Sequence, residues 1–148
     1  MKRFILWVIV PLFIGFIIYV ILSPDTFITK LIWSVLNTNN PFYGTDITKM
    51  PFVVKLSRFY LCDILWSFAF TNMLILVLGY KNIRKAYIIA VLFSTFIELL
   101  QLRFIGTFDI WDIIVQVFGC FLAYLLNRKI DKPKSKEEKD QIKNVNEE

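Results

Sequence analysis

Long apolar stretches separated by short polar segments dominate this chain. Four of them cover residues 4–22, 60–78, 86–102 and 110–126. Each has about the 17–20 residues that a helix needs to cross a hydrocarbon core of roughly 30 Å. A segment that crosses the membrane in this way must be helical, because lipid offers no hydrogen-bond partner to an unpaired backbone N–H or C=O group. The pattern therefore predicts an all-α fold, an integral membrane bundle of four transmembrane helices.

A longer polar segment, residues 23–59, separates the first apolar stretch from the second. Its first part repeats apolar residues at three- and four-residue spacing, which is typical of an amphipathic helix. Two placements fit this helix. It lies on the outer leaflet with Trp33 at headgroup level, or it packs on the bundle. Residues Asn37–Pro41 are expected to end the helix, and Tyr43–Asp46 are expected to form a turn.

Basic residues mark one side of the predicted bundle. Lys2 and Arg3 precede the first stretch, three more basic residues lie in 79–85, and further ones follow Leu126. With four spans these groups share one side, which the positive-inside rule assigns to the cytoplasm. We therefore expect a multi-pass protein of the cell membrane with both termini cytoplasmic.

The end of the chain differs sharply from the rest in composition. Residues 127–148 have few apolar side chains and mix Lys with Glu and Asp. Such a segment buries too little surface to offset the entropy that ordering would cost. We expect a disordered, charged cytoplasmic tail after a membrane domain that covers residues 1–126.

The residue types present exclude several kinds of chemistry. The chain has no histidine, which excludes a Ser-His-Asp triad and zinc sites with His ligands. Its two cysteines, Cys62 and Cys120, fall at different predicted depths, too far apart for a disulfide. The net charge of +5 flanks the predicted spans, so the topology rule accounts for it without a nucleic-acid partner.

Acidic and amide residues inside or beside the apolar stretches are the candidate functional residues. A charged side chain there costs about 2.5–3.5 kcal/mol on insertion scales, so it needs a functional explanation. Because successive spans alternate in direction, the start of the second, the end of the third and the start of the fourth share one leaflet. The sequence thus predicts an outer-leaflet pocket formed by Asp63, Glu98, Gln101, Asp109, Asp112 and Gln116.

Glu98 is the residue that helix electrostatics explain least. It lies near the C-terminal end of its helix, where the helix dipole disfavours a carboxylate. It therefore needs a cationic partner, a bound ion or a proton. Arg58 is the first candidate for that partner, since Arg103 points well around the helix. Asp109 and, in part, Asp112 are explained as capping residues of the fourth helix.

The order of these residues resembles the signature of a known family. The pattern is Glu98-x-x-Gln101, then Asp109-x-x-Asp112, then Gly119, with Asp63 at the acidic start of the preceding helix. It is similar to the VanZ-like family of small multi-span bacterial membrane proteins. The resemblance implies a cell-envelope protein with a link to antibiotic tolerance, since the founding group is associated with tolerance of glycopeptides. It implies no particular biochemical activity.

Two positions depart from the family pattern. Gly106 stands where the family often has Arg, and Gln116 stands where it usually has Asn. The Arg of the family would be a natural partner for the carboxylates, and Arg103 is close enough in sequence to replace it.

The favoured function is a site for an envelope lipid or a lipid-linked group. Carboxylates and amides at headgroup depth suit a sugar, an amine, or a hard cation such as Mg²⁺ or Ca²⁺ bridging to phosphate. Glu98 and Asp112 would be the cation ligands, but nothing in the sequence requires a cofactor. No nucleophile stands with a base, so enzymatic activity is left open and binding is preferred.

Two other function classes remain. One is a component of an ion or small-solute transporter, for which the predicted spans offer few polar residues in their inner half. The other is a non-catalytic accessory protein whose polar residues hold the bundle together. Besides membrane lipid, a second copy of the chain or another envelope protein remains open as a partner.

Overall fold

The computed structural model describes residues 2–22, 27–38, 51–104 and 110–145, with side chains except at 55, 58, 59, 102–104 and 131–145. These residues form helices joined by turns, which confirms the all-α fold class. Two helices contain a π-helical turn, Ile5–Ile9 in the first and Ser57–Leu61 in the third. The helices are α1 (Lys2–Leu22), α2 (Phe27–Val35), α3 (52–78), α4 (Ile83–Phe104) and α5 (Ile110–Val145).

Two helices of the described segments are each long and apolar enough to cross a membrane. They are Lys2–Leu22 and Ile110–Ile130, the second being the first part of α5. Cys62–Leu78, the main part of α3, is an apolar helix of 17 residues. At 1.5 Å per residue, 21 residues extend over about 32 Å, which matches a hydrocarbon core.

Small side chains fill the contacts between the helices, while large apolar side chains face outward. Fully buried residues include Ala69, Ala86, Ala90, Cys120 and Ala123. More than half exposed are Leu6, Phe13, Val77, Leu92 and Phe96. A soluble core shows the opposite distribution. Helices that pack in lipid use small residues at their contacts, because lipid already surrounds the large ones. This is the packing of a membrane protein.

Helix α3 packs against α1, α4 and α5. Its contacts with α1 run antiparallel. The Cys62 thiol donates to the carbonyl of Gly15 at 3.5 Å near one end. Near the other end, the Arg3 guanidinium lies 5.4 Å from the centre of the Tyr80 ring. Asp63 and Leu78 are therefore at opposite ends of the bundle, and Leu22 lies at the Asp63 end.

Helix α5 runs parallel to α3 and antiparallel to α4. Gly119 lies against Ser67, and further along both helices Asn127 contacts Asn72. The order of the contacts with α4 is reversed, since Gln116 meets Glu98 and Tyr124 meets Tyr87. Successive long helices therefore alternate in direction, as the short predicted connections require.

Gly119 marks a close approach of α5 to α3. A Cβ atom built there would overlap Ser67 Oγ and would lie 2.6 Å from the carbonyl oxygen of Ile64. The Ser67 hydroxyl can rotate, but the Ile64 carbonyl belongs to the backbone. No residue other than glycine fits unless the two helices move apart.

Helix α2 packs on the end of α1. The Trp33 indole N–H donates to the carbonyl of Val20 at 3.2 Å, and Thr29 is fully buried. The structure thus favours packing on the bundle, one of the two placements expected for this helix. The apolar side chains of Phe27, Leu31 and Val35 remain exposed by 80%, 54% and 78%, so the same helix also offers an apolar surface to lipid.

Several boundaries differ from those predicted. Helix α3 starts at Phe52 and not at residue 60, because the polar residues among 55–58 interrupt the apolar pattern without breaking the helix. Helix α2 ends as expected, with Asn37 at a φ of 53°. Gly79 has a φ of 80°, a conformation that favours glycine, and it separates α3 from α4. The predicted turn at residues 43–46 lies outside the described residues.

Asn127 belongs to the folded bundle, although the sequence placed it in the tail. It is 5% exposed, and its amide donates to Asn72 Oδ1 at 2.7 Å and to the Ala123 carbonyl at 2.8 Å. The prediction failed because a polar residue after an apolar run looks like its end, whereas here it pairs with another buried amide. Helix α5 continues to Val145. Disorder of the charged tail in solution stays a prediction.

We expect Gly119→Ala to destabilise the protein by about 1–3 kcal/mol, the usual range for overpacking. The added methyl group meets the Ile64 carbonyl, and this contact outweighs the better helix propensity of alanine. Gly15→Ala is the matched control, because its Cβ would lie 3.6 Å from Leu65 Cβ, an ordinary contact. Thermal unfolding of the purified variants in detergent measures both. Equal midpoints for the two variants would contradict the close approach at Gly119.

The Asn72–Asn127 hydrogen bond predicts a measurable coupling between the two residues. In a double-mutant cycle of Asn72→Ala and Asn127→Ala, we expect an interaction energy of about 0.6 kcal/mol, and at most about 1.7. Unfolding of the single and double variants in mixed micelles gives the four free energies. Strict additivity would show that Asn127 is not held in the bundle.

Candidate functional site

Four of the predicted site residues come together at the end of the bundle where α3 and α5 begin. We call Asp63, Glu98, Asp112 and Gln116 the polar cluster. The carboxyl group of Asp63 is partly buried, within electrostatic range of those of Asp112 and Glu98. The grouping follows from the alternating helix directions, which bring the end of α4 beside the starts of α3 and α5.

Glu98 and Gln116 form the buried centre of the polar cluster. They are 3% and 4% exposed, and the Gln116 amide N–H donates to Glu98 Oε1. From the sequence we expected Glu98 to need a cationic partner, a bound ion or a proton, with Arg58 as the first candidate for the partner. The hydrogen-bond partner in the structure is a neutral amide. This contact joins α4 to α5. Because the amide is neutral, it does not compensate the negative charge of an ionised Glu98.

The remaining predicted site residues are Gln101, Asp109, Arg58 and Arg103. Gln101 is half-buried and lies about one turn beyond Glu98 on α4. Asp109 lies outside the described residues. Arg58 and Arg103 are within α3 and α4, but their side chains are outside the described part of the chain. Their roles stay predictions.

A groove of about 440 Å³ runs between α1 and α3 beside the polar cluster. Asp63 is on its wall, and most of the remaining lining is apolar or aromatic. The lining residues are Pro11, Leu12, Gly15, Phe16, Tyr19, Cys62, Asp63 and Trp66. The groove is partly open and is not an enclosed cavity.

A second groove, of about 520 Å³, lies between the first turns of α3 and the start of α5. It is more apolar than the first and contains no carboxylate. Its lining residues are Phe52, Leu56, Ser57, Tyr60, Leu61, Ile64, Trp111 and Val115. The two grooves lie on different faces of α3, and only the first reaches an acidic residue.

Two buried oxygen atoms next to Glu98 lack a hydrogen-bond partner. Gln116 Oε1 makes no hydrogen bond. Ser94 Oγ lies beside the Cys120 thiol but makes no hydrogen bond of ordinary geometry. Buried polar atoms are nearly always paired, so both positions need an explanation. Within the described segments, no three acidic or thiol side chains are arranged to hold a metal ion.

Sequence reasoning missed three features of this region. Ser94 lies one turn before Glu98 and was not among the predicted site residues. The groove was not foreseen, since it depends on how α1 and α3 are rotated about their axes. Asn127 was missed, although Gln116, Cys120, Ala123 and Asn127 follow a helical spacing that marks one face of α5. That spacing was the available signal.

Comparison with known proteins gives one match. The model of the VanZ/LLP1 family matches residues 7–130, which include part or all of each of the five helices. No curated protein and no solved structure matches the chain. The matched region covers the polar cluster, both grooves and the Gly119 contact, and the chain belongs to the VanZ/LLP1 family.

Proposed function

We propose that this protein binds a lipid, or a lipid-linked group, of the cell envelope at the polar cluster. The position of Asp63 carries the proposal, because this residue belongs to the polar cluster and also lines the groove between α1 and α3. A polar site that adjoins an apolar groove suits an amphiphile, whose headgroup and chain need different surroundings. A lipid would enter the groove directly from the bilayer, without passing through water.

The proposed topology has four transmembrane helices and cytoplasmic termini. The alternating directions of α1, α3, α4 and α5 support it, as does the clustering of basic residues at the end opposite Asp63. In this orientation the polar cluster is at headgroup depth in the outer leaflet. A ligand on that side would be an extracytoplasmic envelope component.

Binding has more support than catalysis. Glu98 is hydrogen-bonded to an amide and stands among carboxylates, an arrangement that accepts hydrogen bonds but lacks a nucleophile beside a base. The family resemblance adds the expectation of a role in antibiotic tolerance. Binding of an envelope component would be the physical basis of that role.

Transport has weaker support. Ser67 and Thr71 are buried in the bundle, but their hydroxyls donate to carbonyls of their own helix at 2.7 and 2.8 Å. Hydroxyl groups that are satisfied in this way act in packing and do not form a continuous polar path. In an accessory protein, Glu98 would serve only to hold α4 against α5. The lipid-binding measurement on Glu98→Gln distinguishes this function from ligand binding.

Reporter fusions test the topology. We expect a reporter that is active only in the cytoplasm to work after Glu148 and after Lys81. A reporter that is active only outside should work within residues 39–46. The opposite result at all three sites would overturn the orientation, whereas Glu148 and Lys81 on different sides of the membrane would overturn the number of spans.

Glu98→Gln should weaken lipid binding by about tenfold or more, because a hydrogen bond to a charged group contributes about 1.5–3 kcal/mol. Glutamine keeps the shape of the side chain and can still accept the hydrogen bond from Gln116. The fold should therefore survive while the charge is lost. Native mass spectrometry of protein extracted from membranes counts the retained lipids, and the thermal midpoint reports folding.

Lys81→Gln is the control for this measurement, since Lys81 is an exposed residue at the opposite end of the bundle. It should retain lipid as the unmodified protein does. If Glu98→Gln also retains lipid fully and folds normally, Glu98 has a purely structural role, and the accessory reading replaces our proposal.

A further inference from the structure

The end of the bundle opposite the polar cluster is strongly basic. Segments 2–4, 79–85 and 127–130 meet there and contain no acidic residue. Their basic residues are all exposed, and they are Lys2, Arg3, Lys81, Arg84, Lys85, Arg128 and Lys129. The next acidic residue is Asp131, and the tail from there to Glu148 has six acidic and five basic residues. The tail thus nearly balances its own charge, and this end of the protein stays positive.

Arg3 is held in place by an aromatic ring. Its guanidinium lies over the ring of Tyr80, 5.4 Å from the ring centre. A guanidinium on an aromatic face keeps its N–H groups in its own plane, where they can form paired hydrogen bonds to a phosphate. Because the contact with Tyr80 already orders this long side chain, binding through Arg3 loses less conformational entropy.

A narrow crevice beside Arg3 joins α1, α3 and α5. Arg3 shares its wall with the buried amides of Asn72 and Asn127 and with the side chains of Trp7 and Ile130. Its volume of about 10 Å³ is room for about one water molecule. A lipid headgroup would therefore lie over the mouth of the crevice, in contact with Arg3.

The crevice lies at the level where both candidate spans end. Lys2–Leu22 begins beside Arg3, and Ile110–Ile130 ends at a residue that lines the crevice. The ends of such spans mark the boundary between hydrocarbon and headgroups, where Trp and Tyr side chains are common. The phosphate of a phospholipid is close to this depth whichever way the protein faces.

We infer that Arg3 binds the phosphate of an anionic phospholipid at this end of the bundle. The other six basic residues contribute a screened positive field, which favours an anionic headgroup over a zwitterionic one. The topology rule alone requires basic residues on one side, but it does not require an arginine held on a ring beside two buried amides. The site is separate from the polar cluster and does not depend on the proposed function.

Two lipids with the same chains test the headgroup preference on the full chain, purified in a maltoside detergent. Native mass spectrometry measures binding of dioleoyl phosphatidylglycerol and dioleoyl phosphatidylcholine. We expect the phosphatidylglycerol to bind at least about tenfold tighter, a difference of about 1.4 kcal/mol. The full chain is used so that the acidic residues of the tail compete with the lipid. Equal binding of the two lipids would overturn the inference.

Inorganic phosphate separates a lipid site from a site for any phosphate. At the same concentration it should leave the bound phosphatidylglycerol in place, because it has no chain to hold it at the membrane surface. Displacement of the lipid by inorganic phosphate would overturn the assignment to a phospholipid.

Two arginine variants distinguish a defined site from general attraction. Arg3→Gln should weaken phosphatidylglycerol binding by about tenfold or more, because a hydrogen bond to a charged group is lost. Arg84→Gln is the matched control, since Arg84 is an exposed arginine at the same end that does not line the crevice. It should weaken binding by about twofold at most, because an exposed charge acts through a screened field. Equal losses in the two variants would show a diffuse attraction and overturn the site.

Tyr80 variants test the position of Arg3 without changing any charge. Tyr80→Leu removes the ring and should weaken phosphatidylglycerol binding by about two- to fivefold. Tyr80→Phe keeps the ring and should bind as the unmodified protein does. The thermal midpoint reports whether each variant folds, and if Tyr80→Leu does not, the two arginine variants decide. Equal binding by folded Tyr80→Leu and Tyr80→Phe would overturn the role of the ring.

Discussion

The close contact between α3 and α5 at Gly119 determines most of this architecture. Large apolar side chains face outward from the bundle, and helices that pack in lipid associate through backbones that approach closely. At Gly119 the approach is limited by the Ile64 carbonyl, and the small residues Cys120 and Ala123 extend the contact along α5. The parallel pairing of α3 and α5 places Asp63 near Asp112, and the antiparallel α4 then brings Glu98 to Gln116. The polar cluster is thus a result of helix packing.

The Glu98–Gln116 pair shows why an acidic residue is placed inside a membrane bundle. For stability alone, two apolar residues of similar size would serve as well, because desolvating a carboxylate costs more than one hydrogen bond to an amide returns. The pair also leaves Gln116 Oε1 unsatisfied. Under the proposed function, a ligand that donates hydrogen bonds would reduce both costs, whereas a purely structural contact would leave them in place.

The sequence predicted the helical class, the long helices and the convergence of Asp63, Glu98 and Asp112, because each depends on hydropathy and helix direction alone. It did not predict the Glu98–Gln116 bond or the groove beside Asp63. Those depend on the rotation of each helix about its axis, and helices that are apolar on all sides give no signal for rotation. Asn127 and the early start of α3 were missed for a related reason. A polar residue within a helix looks like a boundary when its buried partner is far away in the sequence.

The π-helical turn Ser57–Leu61 has a consequence for how such a site can arise. A π turn holds one residue more than the α-helix around it, and one residue corresponds to a rotation of about 100° in an α-helix. The turn lies directly before Asp63, so it sets the phase between the first turns of α3, which line the apolar groove against α5, and the main part of the helix. Removal of one residue from the turn would present Phe52 and Leu56 on another side of the helix, while Asp63 and the close contact at Gly119 stay in place.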